Sequence, residues 1–261
     1  MKTFRLMSTL FFLFVLCLGI HAQQRLLGGD ISLLPSYEEA GTVYRDEAGK
    51  AVAPLEYFKE EGWNAIRVRL FVEPDRASAE HKGEGVCQDL DYVMKLGQRI
   101  KKAGYQFMLD FHYSDTWADP GKQFMPYRWK NSGVASLPDS VYQYTRKSLE
   151  VMVKAGACPD LIQVGNEITN GMMWPAAKVE PLGKDNWDIL VKLLESVPRP
   201  AVKYVHGQRL LFIQRRRANG TRRNLIITIC DSSIMMLSDL VIILCGTKRW
   251  EFLVLRSILS L

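Results

Sequence analysis

Leu161-Ile162-Gln163-Val164-Gly165-Asn166-Glu167 is an apolar run that stops abruptly on an amide and a carboxylate. Its length and content read as a short buried strand that delivers Asn166 and Glu167 to one edge of a sheet. In a parallel α/β barrel that edge is where the βα loops open and where chemistry collects. A carboxyl group held by a rigid strand beside an amide donor suits proton transfer to a leaving oxygen. An ordinary strand followed by a loop carboxylate or a helix N-cap would look the same. The surrounding sequence has to weigh the two.

Upstream, short apolar runs alternate with amphipathic stretches. Leu26–Leu34 begins as a strand and breaks at Pro35; Asn64–Val72 and Tyr105–Phe111 read as the next two strands, and Asp160–Glu167 as the fourth. Pro54–Glu61 has a helical start, with Pro54 in a permitted first turn, Leu55 and Phe58 on one face, and Gly62 as its end. Leu90, Val93, Met94, Leu96 and Ile100 recur at helical spacing, with Lys95, Arg99, Lys101 and Lys102 on the wet side and Gly104 as C-cap. A third helix opens at Asp139, carries Val141, Tyr144, Leu149, Val151 and Met152, and stops near Gly156. Strands alternating with helices at these lengths predict an α/β fold on a parallel sheet. Residues 23–195 hold four such strands, whereas a complete (β/α)8 TIM barrel takes about 250 residues. The expectation is the first half of a barrel.

The two ends follow other rules. Lys2 and Arg5 precede an apolar run from Leu10 to Ile20, the layout of a secretory signal peptide over residues 1–22 with cleavage after Ala22. That run is too short for a comfortable membrane span, so export without a stable membrane anchor is expected. Residues 196–261 hold 11 Lys and Arg against 3 Asp and Glu, so the basic balance belongs to this tail. Arg215-Arg216-Arg217 and Arg222-Arg223 lack interleaved aromatics, and nucleic acid is not an expected partner. Strand–helix alternation stops there, which reads as an atypical basic segment arising from a frameshift or truncation. A half barrel would leave strand edges unpaired on both sides. Cys17 falls in the leader, and Cys87, Cys158, Cys230 and Cys245 show no metal-ligand spacing. Buried thiols are the simpler reading than a Cys87–Cys158 bridge.

Polar residues inside the apolar runs carry the chemical signal. Alternation puts Asp110 and His112 on one face of the third strand, opposite Leu109 and Phe111. An inward charge must be paired, so these two are site residues or a structural pair. Arg67 and Arg69 share a face of the second strand and need carboxylates or polar ligands if they point inward, or solvent if they lie on an edge. In Gly28-Gly29-Asp30-Ile31-Ser32, Asp30 and Ser32 alternate onto one face, at a site or in a tight Asx turn. Trp117 would stack on a sugar ring or pack its loop, and Trp174 would wall a binding cleft or cap the core. Serine-hydrolase, zinc-protease, P-loop and dinucleotide motifs are absent. Asp110 and His112 lack a third ligand at suitable spacing, so neither metal nor cofactor is expected.

Taken together, Gly29-Asp30-Ile31-Ser32, Ile66-Arg67-Val68-Arg69-Leu70, Leu109-Asp110-Phe111-His112-Tyr113-Ser114-Asp115-Thr116-Trp117-Ala118-Asp119-Pro120 and Val164-Gly165-Asn166-Glu167-Ile168 resemble family 53 glycoside hydrolases. These are secreted arabinogalactan endo-β-1,4-galactanases with a (β/α)8 barrel. The resemblance implies a polysaccharide substrate, the β-1,4-galactan side chains of pectin, cleaved with retention by two carboxylates. It makes Glu167 the acid/base, Asn166 the ligand of the sugar 2-hydroxyl, and Arg69, Arg67, Asp110 and His112 the residues shaping the subsite. The family's nucleophile is a second glutamate at the end of strand seven. After Glu195 the only acidic residues are Asp231, Asp239 and Glu251, and Lys248-Arg249-Trp250-Glu251-Phe252 does not match that ending. Two expectations follow: a galactan hydrolase by descent whose nucleophile is missing, or a galactan-binding remnant that does not cleave.

Overall fold

The computed structural model describes residues 26–179 and 186–197 in full, and beyond them the backbone of four further strands. Residues 1–22, expected to be a signal peptide, with Cys17 among them, and Cys230, Cys245, Asp231 and Asp239 lie outside the described residues. Four parallel strands form the frame: β1 (Gly28–Asp30), β2 (Ala65–Leu70), β3 (Gln106–Phe111) and β4 (Leu161–Val164). Helices α1 (Leu34–Glu39) and α2 (Pro54–Glu60) connect β1 to β2. A short α3 (Ala79–Gly83) and a longer α4 (Leu90–Lys102) connect β2 to β3, and α5 (Leu137–Lys154) connects β3 to β4. Helix α6 (Trp187–Ser196) follows.

Period-2 alternation sorts the strands. Ile66, Val68, Leu70, Phe107, Leu109, Phe111, Ile162 and Val164 are fully buried and share one core with Val93, Leu96 and Ile100 of α4 and Leu137, Val141, Leu149 and Met152 of α5. The alternate positions carry Arg67, Arg69, Asp110 and Gln163. Parallel register lines up Asp30 with Arg67, Arg69 with Asp110, and Asp110 with Gln163. One face of the sheet is therefore apolar and helix-covered, and the other is a polar ladder.

Local chemistry explains most element ends. Asp89 caps α4 by accepting the Tyr92 N–H at 2.8 Å, Asp91 sits in its first turn, and Arg99, Lys101 and Lys102 complement the last turn. Lys101 continues to Asp160, whose Oδ2 also accepts the Phe107 N–H at 2.7 Å, tying α4 to the entries of β3 and β4. Three boundaries differ from expectation. Pro35 does not simply end the first strand; it sits in the first turn of α1, where its missing N–H costs nothing. Helix α5 starts at Leu137, with Pro138 in its first turn, two positions ahead of Asp139. Strand β4 stops at Val164, because Gly165 takes φ 74° and turns the chain before Asn166 and Glu167.

Beyond the fully described core, β7 (Arg209–Ala218) pairs parallel to β4, with Leu161 opposite Arg209 and Gln163 opposite Leu211. The β4 edge that a half barrel would leave open is thereby occupied. Strands β8 (Thr221–Ile229), β9 (Val241–Leu244) and β10 (Glu251–Val254) follow antiparallel, so the sheet leaves the barrel grammar after one more parallel strand. A separate hairpin of β5 (Gly171–Met172) and β6 (Ala177–Lys178) carries Trp174 at its tip. Cys87 and Cys158 are half-buried thiols, not bridged to each other. Among the described residues no helix is long and apolar enough to cross a membrane.

Strand β1 depends on close approach to β2. A Cβ at Gly28 would lie 1.7 Å from the Ala65 carbonyl oxygen, a backbone atom that cannot swing away. Gly28→Ala is expected to push β1 off the sheet and lower stability by about 1–3 kcal/mol, the usual cost of overpacking. Urea denaturation of the two proteins measures it; an unchanged midpoint would show that β1 docks without this contact.

Candidate active site

Every strand of the parallel frame contributes a polar side chain to one cluster at its C-terminal edge. Arg67 is its centre. Its Nη1 donates to Asp30 Oδ2 at 2.7 Å, its Nε to Gln163 Oε1 at 3.1 Å, and its Nη2 to Asn166 Oδ1 at 2.9 Å and to Asp110 Oδ2. Asp30 also stands 3.2 Å from Arg69 Nε, and its Oδ1 accepts both the N–H and the hydroxyl of Ser32. Ser32 Oγ in turn accepts the Arg69 N–H at 2.9 Å, locking β1 to β2.

Asp110 is fully buried, and a buried carboxylate persists only when paired. Arg67 is its partner. His112, also buried, places Nε2 3.1 Å from Asp110 Oδ2, but off the line of a hydrogen bond. Its Nδ1 accepts the Ala118 N–H at 3.0 Å, which assigns the ring hydrogen to Nε2, on the side of Asp110. Burial works against the charge of Arg67, yet Asp110 and Asp30 hold its pKa above the ordinary value. Burial lowers that of Arg69, with Arg67 adding to the effect and Asp30 opposing it. The charge of Glu167 also raises the pKa of both arginines, as the smallest of the causes.

Asn166 is held on three sides. Its Oδ1 accepts from Arg67 and, at 3.2 Å, from Gln163 Nε2, while its Nδ2 donates to the Ala118 carbonyl at 2.7 Å. Glu167 takes φ 52° and ψ 41°, a left-handed conformation that costs a non-glycine residue about 1–3 kcal/mol. Trp117 packs edge-on against Phe71, and the Arg69 guanidinium lies 4.7 Å from its ring centroid, a cation–π contact beside the cluster.

The structure thus gathers Asp30, Arg67, Arg69, Asp110, His112, Asn166 and Trp117, and Glu167 follows Asn166 in the chain, near enough for its charge to act on both arginines. Trp174 stands apart on the β5–β6 hairpin, where Lys178 Nζ lies 4.7 Å from its ring and its Nε1 donates to the Asn170 carbonyl at 2.9 Å. Two members of the site escaped the sequence reading. Gln163 is an amide inside an apolar strand, two residues before Gly165, and its parity with Asp110 was the available signal. Gln123, 2 % exposed, comes from the β3–α5 loop, and no pattern in the sequence marks it. Among the described residues no group of three His, Cys, Asp or Glu could hold a metal ion.

The loops that rim this edge are tied by Asp115. Its Oδ1 accepts the Glu73 N–H at 2.9 Å and its Oδ2 the Tyr127 N–H at 2.6 Å, joining the β2–α3 loop to the β3–α5 loop.

A family model for glycosyl hydrolase family 53 matches residues 26–230. The chain belongs to that family. It is 36% identical over 169 residues to a probable arabinogalactan endo-beta-1,4-galactanase A of Aspergillus terreus, covering 65% of this chain and 44% of the relative. It is 35% identical over 169 residues to the arabinogalactan endo-beta-1,4-galactanase A of Aspergillus niger, with the same shares. Among solved structures it superposes on the Ignisphaera aggregans GH53 catalytic domain with a TM-score of 0.64 and 32% identity, covering 72% of this chain and 50% of that one. A structure from a study of two fungal beta-1,4-galactanases gives 0.61 and 31%, covering 72% and 53%. The chain therefore spans less than half the length of these curated relatives. Its four parallel strands and their helices are the opening half of the family's (β/α)8 barrel.

Two stability predictions follow from the cluster and its rim. Arg67→Met removes the partner of a fully buried carboxylate, and a loss of about 3–5 kcal/mol in urea denaturation is expected. A variant as stable as the parent would mean that Asp110 is compensated elsewhere. Burial raises the Asp115 pKa above its ordinary 3.8, against the pull of the Tyr127 and Glu73 N–H groups. A raised carboxylate pKa favours the protonated form in the fold. The contribution of Asp115 is therefore full below the unfolded-state pKa and is lost as pH rises through the folded-state value. Stability measured across the acid range should show that downward slope, and Asp115→Asn should lack it. An identical slope in both proteins would refute the assignment.

Proposed function

We propose that this chain is a galactan-directed glycoside hydrolase in which Glu167 protonates the oxygen leaving the scissile bond. One observation carries the reading: Glu167 follows directly after Asn166 at the C-terminal edge of β4, and Asn166 is bonded to Arg67, which Asp30 and Asp110 brace. The relatives named as galactanases support β-1,4-galactan as the substrate. The Asn166 amide has its oxygen committed to Arg67 and Gln163, so its remaining N–H is the group offered to a sugar hydroxyl. Arg67, Arg69, Asp110 and His112 shape the floor beneath the bond, Asp30 braces both arginines, and Trp117 presents an indole edge to the sugar. Trp174 would wall the cleft on the hairpin side. The leader pattern over residues 1–22 supports export.

Retaining hydrolysis needs a second carboxylate about 5–5.5 Å from the first. Asp30 and Asp110 are both bound to arginine, which suits bracing rather than attack on an anomeric carbon. Glu251 opens β10, with β7, β8 and β9 between it and β4. That placement favours a second reading, binding of galactan without cleavage.

Incubating the 261-residue chain with β-1,4-galactan separates the two. Release of reducing ends, lowered by at least about 10²-fold in Glu167→Gln while affinity is kept, is expected if Glu167 is the acid. Retardation in a galactan gel without release supports the binding reading. No interaction with galactan would count against both.

A further inference from the structure

Resting on Glu167 as the proton donor, we infer that Gln123 is the positioning residue that aims it. Glu167 occupies a backbone conformation that an L-residue adopts only when its surroundings impose it. The peptide groups on either side of its Cα fix where the side chain starts. One side-chain amide reaches both. Gln123 Nε2 donates to the Asn166 carbonyl at 2.8 Å and approaches the Glu167 carbonyl at 3.4 Å, with the Asp119 carbonyl at 3.2 Å as a third acceptor. Arg67, Gln163 and Ala118 hold the side chain of Asn166, not the backbone of Glu167. Gln123, together with the Thr169 N–H that reaches the Glu167 carbonyl at 2.8 Å, holds the backbone on which the acid is mounted, and Gln123 reaches the peptide groups on both sides of it.

The same residue couples the acid to the wall of the cleft. The Gln123 carbonyl accepts the Trp174 N–H at 2.7 Å, and Trp174 Nε1 donates to Asn170, three residues after Glu167. Asn170 Nδ2 reaches back to the Pro120 carbonyl at 2.8 Å in the loop that carries Gln123. Gln123 is thus anchored on both sides, and its backbone and side chain join Trp174 to Glu167. A glycan pressed on the Trp174 wall and a proton donor one loop away share a single support.

Two variants test this. Gln123→Glu keeps the shape but turns the donor into an acceptor facing carbonyl oxygens; Gln123→Met keeps the bulk, removes both N–H groups, and covers a folding failure of the first. A misaimed acid slows loss of a sugar alkoxide, which needs the proton, far more than loss of a nitrophenolate, which does not. We expect turnover of galactan to fall about tenfold or more while turnover of an aryl β-galactobioside falls less than about threefold. Equal losses on both substrates would overturn the inference. A second readout is independent of turnover: in protein with 13C-labelled glutamate carboxyls, the Glu167 signal, assigned with Glu167→Gln, should shift in folded Gln123→Met. An unmoved signal would also overturn it. If the parent chain cleaves neither substrate, the hydrolase reading fails and the carboxyl signal alone decides the role of Gln123.

Discussion

The guanidinium of Arg67 ties the parallel strands together on their polar face. From β2 it reaches Asp30 on β1, Asp110 on β3, Gln163 on β4 and Asn166 just beyond β4. A planar fork of donors can serve acceptors on several sides at once, which a lysine ammonium on a flexible stem cannot match. The hydrophobic core on the opposite face sets how the strands pack, but it does not set which polar atoms meet. That falls to the requirement that one fully buried carboxylate and one half-buried arginine satisfy each other. Removing the cation leaves Asp110 charged in a place where water cannot reach it.

Around this ion cluster the remaining polar groups are neutral amides, and their donors and acceptors are directional. Asn166 turns its oxygen toward Arg67 and Gln163 and its nitrogen toward Ala118. Gln163 accepts from Arg67 and donates to Asn166 and Gly165. An amide adds hydrogen bonds beside a carboxylate without adding a charge that would perturb it. The cost is strain, placed where φ is positive at Tyr113, Glu167 and Met173, all at the loop edge.

The sequence showed the frame more clearly than the site's joints. Apolar alternation in Ile66–Leu70 and Phe107–Phe111 exposed Arg67, Arg69, Asp110 and His112 as misfits, because a charge in a buried strand breaks the pattern. Helix α4 was readable from its apolar spacing and basic last turn. Gln163 stayed hidden because an uncharged amide hardly disturbs an apolar run. Gln123 stayed hidden because a loop residue finds its partners only through tertiary closure. The Leu161–Glu167 run reads as one continuous strand, since a lone glycine in an apolar run does not say whether the chain bulges or turns; here Gly165 at φ 74° frees Asn166 and Glu167 from the sheet. After Glu195 the change of pattern was visible. The parallel pairing of β7 with β4 was not, because register across a long connection depends on contacts outside any local window.

That turn at Gly165 also explains why Glu167 lies beyond the strand rather than on it. Were β4 to continue, strict alternation would place Asn166 and Glu167 on opposite faces, one of them against the helices. Leaving the sheet at Gly165 frees both residues from that alternation and lets the Asn166 side chain meet Arg67, but it removes the ladder hydrogen bonds that would have held their backbone. The released carbonyls need new donors. The side chain of Gln123 supplies them to Asn166 and Glu167, and the Thr169 N–H adds a bond to the Glu167 carbonyl at 2.8 Å. Placing two adjacent functional groups on one side of a strand end thus requires a polar support from a neighbouring loop, which makes the β3–α5 loop part of the site's construction.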